Sequence, residues 1–334
     1  MSLQEQPDLL SGLDYIERFL KNEVTGQDET IDVLISVVER YCSGLCDPRR
    51  PIGSFLFLGP SGVGKTFLVE TFAELALPPE NFVPVDCSEY NQDHQVARML
   101  GAPPGYRGEE TGSIFVNAVR RMSQPELGWV LLLDEIEKAH PKFFDIFLQV
   151  LSSGRITDGR GNVVDFSRCL IFMTSNIGAS EHSKGTDMGF RSQRSTVLNK
   201  KAILAEVKKT FRIEFINRID HIAFFNSLTL DQQQTIFTRM LRDVNRRLRS
   251  REIKVLLGDR LHEVIFNKGF SHEFGARNLS RAIADELSGK LSKKIIRKEI
   301  QVDSLVEADH DEHGEFAVRR IGDYPILMEE ESQP

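Results

Sequence analysis

Apolar residues recur at helical spacing twice near the start of the chain. Leu9, Leu10, Leu13, Ile16, Phe19 and Leu20 form one set, and Ile31, Val33, Leu34, Val37 and Val38 form the next. This pattern predicts helical structure over residues 8–46, interrupted at Val24-Thr-Gly-Gln27. Asp47-Pro-Arg-Arg-Pro51 reads as a turn-rich linker. Short apolar runs then follow at Phe55–Leu58, Asn81–Asp86, Trp129–Asp134, Cys169–Thr174 and His221–Phe225. Between them lie helical patterns at Phe67–Leu77, Gln92–Leu100, Ser113–Met122 and Lys142–Leu151. Pro78-Pro79 stops the first of these helices, because proline supplies no backbone donor. Trp129-Val-Leu-Leu-Leu133 is apolar throughout rather than alternating, the pattern of a strand buried on both faces. Strands alternating with helices predict an α/β fold, a parallel sheet flanked by helices.

From Ser227 the helical pattern dominates. Arg239, Arg242, Arg246, Arg247, Arg249 and Arg251 interleave with Met240, Leu241, Val244 and Leu248. Such a stripe reads as the solvated face of an amphipathic helix, although an arginine-rich helix also suits nucleic acid. Residues 301–320 are expected to form a short hairpin turning at Asp309–Gly314, and the tail Met328–Pro334 is acidic. The division that results is a large α/β domain over residues 1–226 and a smaller, mostly helical domain over 227–334.

Composition narrows the function classes. Of 334 residues, 40% are hydrophobic and 27% charged, as in an ordinary globular protein. The formal net charge of −7 argues against a general nucleic-acid binder. No apolar run reaches the length of a membrane span, and Met1–Pro7 is polar and carries no signal-peptide core. A cytoplasmic protein is expected. Cys42, Cys46, Cys87 and Cys169 read as buried thiols in a reducing compartment, with a zinc site on the Cys42/Cys46 spacing as the alternative.

The chemistry begins where the first strand ends. Gly59-Pro60-Ser61-Gly62-Val63-Gly64-Lys65-Thr66 follows an apolar run and opens a helix, the setting that the phosphate-loop pattern requires. Glycines let backbone N–H groups close around phosphate oxygens, and the helix presents its positive end. In this pattern Lys65 reaches the β- and γ-phosphates and Thr66 ligates Mg²⁺. ATP with Mg²⁺ is the expected cofactor pair. The third strand ends in two carboxylates: Asp134 is expected to hold Mg²⁺ and Glu135 to polarise an attacking water. Asn176, after the fourth strand, is placed to bond a γ-phosphate or that water.

The motif order resembles an AAA+ ATPase of the Clp unfoldase and disaggregase family, and within it the second, C-terminal ATPase module of the ClpB and ClpC types. The segments that carry the likeness are Pro51–Pro60, Gly101-Ala-Pro-Pro-Gly-Tyr106, Leu133-Asp-Glu-Ile-Glu-Lys-Ala-His-Pro141, Gly154-Arg-Ile-Thr-Asp-Gly159 and Glu214-Phe-Ile-Asn-Arg-Ile-Asp220. The likeness runs from about Val24 to about Ile300. Nothing in it matches the family's N-terminal domain or first ATPase ring, so the chain is expected to be either a fragment or a single-ring relative.

The resemblance implies roles that spacing does not. Asn176 matches a first sensor, and Arg218 an arginine finger reaching the neighbouring subunit's nucleotide. Arg277 matches a second sensor, on the small domain, and Val24 and Thr25 belong to a segment along the adenine. Nucleotide would then bind between the two domains. Tyr106 matches the pore aromatic that grips a translocating chain. Beside it, Arg107 replaces a usually small apolar residue, which would alter grip or substrate preference. Ile156–Gly161 matches a second pore loop. Met188-Gly189-Phe190 matches the ClpC tripeptide that docks on a ClpP-type peptidase, with Met in place of an aliphatic residue. The implied function is ATP-driven unfolding and threading of unfolded or tagged proteins by a homo-oligomeric, hexameric ring that feeds such a peptidase. A stand-alone disaggregase and a nucleic-acid-dependent AAA+ motor are the alternatives. Neither a membrane nor nucleic acid is an expected partner.

Overall fold

The computed structural model describes residues 9–101, 113–123, 128–178, 200–270 and 276–325. The chain divides into two compact units, residues 1–60 with 64–226 and residues 61–63 with 227–334.

The first unit opens with helices α1 (Leu9–Glu23) and α2 (Asp28–Cys42), which meet at the glycine-containing break that the apolar spacing predicts. Its sheet is built from β1 (Gly53–Leu58), β2 (Phe82–Asp86), β3 (Trp129–Asp134), β6 (Cys169–Ser175) and β7 (His221–Phe224), where β4 (Arg155–Thr157) and β5 (Val163–Asp165) form a separate two-stranded antiparallel pair. The strand order is β2-β3-β6-β1-β7 and every pairing is parallel. All residues of β1 and β6 are buried, as are all but the last of β3. The continuous apolar runs therefore occupy the middle of the sheet, covered on both faces. The crossovers include α3 (Lys65–Ala76), α4 (Asp93–Leu100), α5 (Ile114–Arg121) and α6 (Pro141–Ser153). Aromatic rings fill the core, with Phe55 stacked on Phe172 at 5.1 Å and Phe143 on Phe147 at 4.7 Å. Two further helices, α7 (Lys200–Thr210) and α8 (Ile213–Ile216), precede β7. Their apolar spacing is sparse, and Phe211 and Phe215 hold them by packing edge-on against Phe144 of α6.

The second unit starts with α9 (Leu230–Leu248), opened by a capping box in which Thr229 and Gln232 exchange side-chain and backbone bonds. α10 (Asp259–Gly269), α11 (Leu279–Ile283) and α12 (Gly289–Ile296) follow, the last two joined by a turn of π-helix at Ala284–Ser288. The expected hairpin is present as β9 (Ser304–His310) and β10 (Phe316–Gly322). It is completed by β8 (Ile253–Leu257), parallel to β9, in a segment whose pattern suggests only helix. Ile253 and Val255 face the core while Lys254 and Leu256 face outward, too short an alternation to stand out within an otherwise helical stretch. Phe237, Leu261, Leu279 and Val306 form the core of this unit.

All four cysteines are free; Cys87 and Cys169 are buried, whereas Cys42 is exposed and Cys46 half-buried, so two of the four are not the buried thiols expected. No group of three or more metal-ligating side chains occurs among the described residues. Nor is any described helix long and apolar enough to cross a membrane.

Candidate functional site

β1, β3 and β6 are adjacent and parallel, so their carboxyl ends open on the same edge of the sheet. That geometry brings three separate stretches of sequence together. At the end of β1, Gly59 adopts φ +150, and a Cβ there would sit 2.4 Å from the carbonyl oxygen of Phe225. Only glycine fits where the chain leaving β7 passes this closely. Gly64 adopts φ +102 at the start of α3, with Val24 the nearest neighbour of any added Cβ, at 3.7 Å. The fold thus places the Val24 segment beside the loop. Thr25 Oγ1 and Ser61 Oγ are both buried without a hydrogen-bond partner among the described residues. Orphaned hydroxyls of this kind suit a polar ligand, since burying them unpaired is costly.

Lys65 is buried, and its Nζ donates to the Gly59 carbonyl at 2.7 Å, the Pro60 carbonyl at 2.6 Å and Asn176 Oδ1 at 3.1 Å. The ammonium is thereby held between the loop and the end of β6. One residue on, Thr66 Oγ1 donates to Asp134 Oδ1 at 3.1 Å. The same Asp134 oxygen accepts a hydrogen bond from the hydroxyl of Thr174. Thr174 in turn accepts from the Glu135 backbone N–H at 3.1 Å. Glu135 adopts φ +53 and ψ +46, left-handed for a residue with a side chain, a conformation that costs about 1–2 kcal/mol. Strain of this kind persists where surrounding structure enforces it, and here Glu135 is held through its N–H by Thr174 and through its carbonyl by the Lys138 N–H.

The Glu135 carboxylate has two partners. Asn176 Nδ2 donates to Oε1 at 3.4 Å, and Lys138 forms an ion pair with Oε2. The Glu135 hydrogen bond holds the Lys138 ammonium above its usual range. Asn176 is fixed by its own backbone, whose N–H donates to Glu137 Oε1 at 3.0 Å. On α3, Glu70 is pushed above the ordinary carboxylate range by burial first and the nearby charge of Asp134 second. Lys65, Thr66, Asp134, Glu135 and Asn176 therefore form one bonded group. Thr174, Glu137 and Lys138 hold it and were not assigned from sequence. Thr174 carried a signal, being polar at the end of an otherwise apolar strand.

Arg218 does not belong to that group. It is exposed on the turn after α8, and no side-chain partner is found for its guanidinium among the described residues. Arg277 lies in the second unit, exposed in the turn before α11. The Ile156–Gly161 stretch runs from the end of β4 into the turn before β5. There Asp158 accepts from the N–H groups of Arg160 and Asn162 at 2.8 and 2.7 Å. Tyr106, Arg107, Met188, Gly189 and Phe190 lie outside the described residues.

A phosphate loop closing β1, paired acids closing β3 and an asparagine just past β6 define a P-loop ATPase domain. Residues 50–222 match the family model "AAA domain (Cdc48 subfamily)", and residues 228–308 match "C-terminal, D2-small domain, of ClpB protein". The chain belongs to the AAA ATPase family. It is 41% identical over 307 residues to the chaperone protein ClpB of Oceanobacillus iheyensis, covering 91% of this chain and 38% of that protein. It is also 41% identical over 308 residues to the negative regulator of genetic competence ClpC/MecB of Bacillus subtilis, covering 91% of this chain and 37% of that protein. Among solved structures it resembles Hsp104 with ATPγS and FITC casein in a closed state. That match has a TM-score of 0.78 and 32% identity, over 95% of this chain and 53% of the other. The chain thus spans well under half the length of the curated relatives it matches.

Proposed function

We propose that this chain hydrolyses ATP and converts the energy into unfolding and threading of polypeptide, as one subunit of a homo-oligomeric, hexameric ring. The observation that carries the reading is the bonded group Lys65, Thr66, Asp134, Glu135 and Asn176, which has a member for each requirement of phosphoryl transfer to water. Gly59 to Gly64 would cradle the phosphates, with Lys65 on their charge. Val24 and Thr25 would lie along the base. Thr66 and Asp134 offer hard oxygen donors, which fit Mg²⁺. Such an ion commonly takes one or two protein oxygens and completes its shell with phosphate and water. When bound it neutralises developing phosphate charge. Glu135 would take a proton from the attacking water, and Asn176, touching both Lys65 and Glu135, would hold that water in line. Arg218 would complete the neighbouring subunit's site, and Arg277 would sense the nucleotide from the small domain.

Polypeptide as substrate is supported by the ClpB and ClpC relatives, by the casein in the Hsp104 likeness, and by Tyr106 in its glycine-rich setting. The Met188-Gly189-Phe190 match adds a ClpP-type peptidase as downstream partner, in the cytoplasm; a stand-alone disaggregase is the reading if that contact fails. The deciding experiment is steady-state ATP turnover alone, with casein and with single-stranded DNA. Stimulation by casein is expected. Stimulation by DNA alone would favour a nucleic-acid motor, and absence of turnover in every arm would refute the ATPase. Co-sedimentation of wild type and Phe190→Ala with the cognate peptidase tests the partner.

A further inference from the structure

Two residues after Arg218, Asp220 makes a set of contacts that bind the Arg218 turn to the strand feeding the phosphate loop. Its Oδ2 accepts from the Ser54 backbone N–H at 3.0 Å and from the Ser54 hydroxyl at 2.6 Å. The Asp220 N–H donates back to Ser54 Oγ at 3.0 Å. Its other carboxylate oxygen, Oδ1, accepts from the Arg50 guanidinium at 3.1 Å, while Arg50 Nε reaches the Leu151 carbonyl at 3.4 Å. Ser54 is the second residue of β1 and only 1% exposed. The pairing of β1 with β7 starts one residue further along, at Phe55 opposite His221.

The other side of the Arg218 turn is equally tied down. Phe215 is fully buried, Ile219 is 9% exposed, and backbone N–H groups of Asn217, Arg218 and Ile219 all bond back into α8. Arg218 is thus an exposed cation, with no side-chain partner among the described residues, on a turn clamped at both ends. One clamp is the hydrophobic core. The other is a reciprocal Ser–Asp bond to β1, the strand whose far end is Gly59.

We infer that Asp220 and Ser54 are positioning residues for Arg218: they set where its guanidinium projects and join it rigidly to the chain's own nucleotide strand. This rests on the reading of Arg218 as a residue acting on a neighbouring subunit. A guanidinium that stabilises transition-state charge must be placed to within a fraction of an ångström, and a misplacement of about 1 Å from a remote change costs on the order of 10²-fold in rate.

The test uses Asp220→Ala, Ser54→Ala and Asp220→Asn, with Arg218→Ala alongside, in the full chain under assembling conditions. Asp220→Asn can keep an oxygen toward Ser54, while its amide NH2 replaces the acceptor that faced the Arg50 guanidinium. It should retain most of the wild-type turnover, whereas Asp220→Ala should lose on the order of 10²-fold, with affinity for a fluorescent ADP analogue unchanged. Each low-activity variant is then mixed with Glu135→Gln subunits, which cannot hydrolyse but carry an intact Arg218 turn. Asp220→Ala and Arg218→Ala subunits should both regain turnover, because their own sites are sound and the neighbour supplies the arginine. If Arg218→Ala is rescued and Asp220→Ala is not, Asp220 serves only its own subunit and the inference is overturned. If neither is rescued, the reading of Arg218 falls, and the inference with it.

Discussion

In the sheet of the first unit, β1, β3 and β6 are buried on both faces, so no side chain along their length meets water until the strand ends. In the sheet of the second unit, β8 and β9 alternate buried and less buried positions, and β10 is largely exposed. Apart from Ser54 at the start of β1, the polar side chains of these strands are consequently confined to the carboxyl edge, where Asp134, Thr174 and Asn176 sit within hydrogen-bond reach of one another's neighbours. In the second unit polar groups are distributed along the strands and serve structure. Asp309 on β9, for example, accepts from the Leu261 N–H and so caps the first turn of α10. A sheet covered on both faces concentrates function at its end, whereas a half-exposed sheet offers no such focus.

Substitutions in the two sheets should separate these behaviours. The largest effect is expected from Glu135→Gln at the edge of the first sheet. Loss of a general base lowers turnover on the order of 10²–10⁴-fold. Nucleotide should stay bound through gel filtration, because Lys65, Thr66 and Asp134 are untouched. A variant turning over near the wild-type rate would remove Glu135 from its role. Next in size is Gly59→Ala, where the new methyl meets a backbone carbonyl that cannot step aside. A cost of about 3 kcal/mol in unfolding free energy is expected, together with weakened nucleotide affinity. Gly161→Ala, also at positive φ but with open space around it, should cost about 1 kcal/mol through backbone strain alone. Equal penalties at the two glycines would show that the close approach at Gly59 is unimportant.

In the second unit, Asp309→Ala removes the α10 cap and should lower stability by about 1 kcal/mol, with ATP turnover per folded subunit unchanged. A loss of turnover without a loss of stability would mean that this sheet is not merely structural. The smallest effects concern two carboxylates shifted in opposite directions. Hydrogen bonds from Lys268 and then Lys290 hold Glu286 down at about 2. Its stabilisation is therefore complete above the ordinary value of 4.5 and lost as pH falls toward 2. The stability gap between wild type and Glu286→Gln should close over that window. Glu70, raised by burial and by Asp134, behaves oppositely. Its contribution is present below the ordinary carboxylate range and lost as pH rises through the raised value, so Glu70→Gln should gain slightly at neutral pH in the absence of nucleotide. A loss there would place Glu70 among the groups that bind.

Much of this molecule is readable from local pattern. The three central runs of the parallel sheet, β1, β3 and β6, are apolar because both faces are covered, and that property is written in each run without reference to any other. The phosphate loop is equally local, since glycine spacing and the following Lys65 and Thr66 are adjacent in the chain. Asp134, Glu135 and Asn176 were identifiable because polar residues abruptly end apolar strands. What no local pattern contains is the partner across the sheet. Thr174 bridging Asp134 and the Glu135 backbone joins residues 40 apart, and Ser54 with Asp220 joins residues 166 apart. β8 became a strand only because β9, some fifty residues later, offered it an edge. Sequence determined the strands of the parallel sheet, the loop and the kinds of chemical group at their ends, because these follow from burial and from backbone geometry within a few residues. The tertiary structure decided which groups touch, because strand order and register set those distances and are properties of the whole packed sheet.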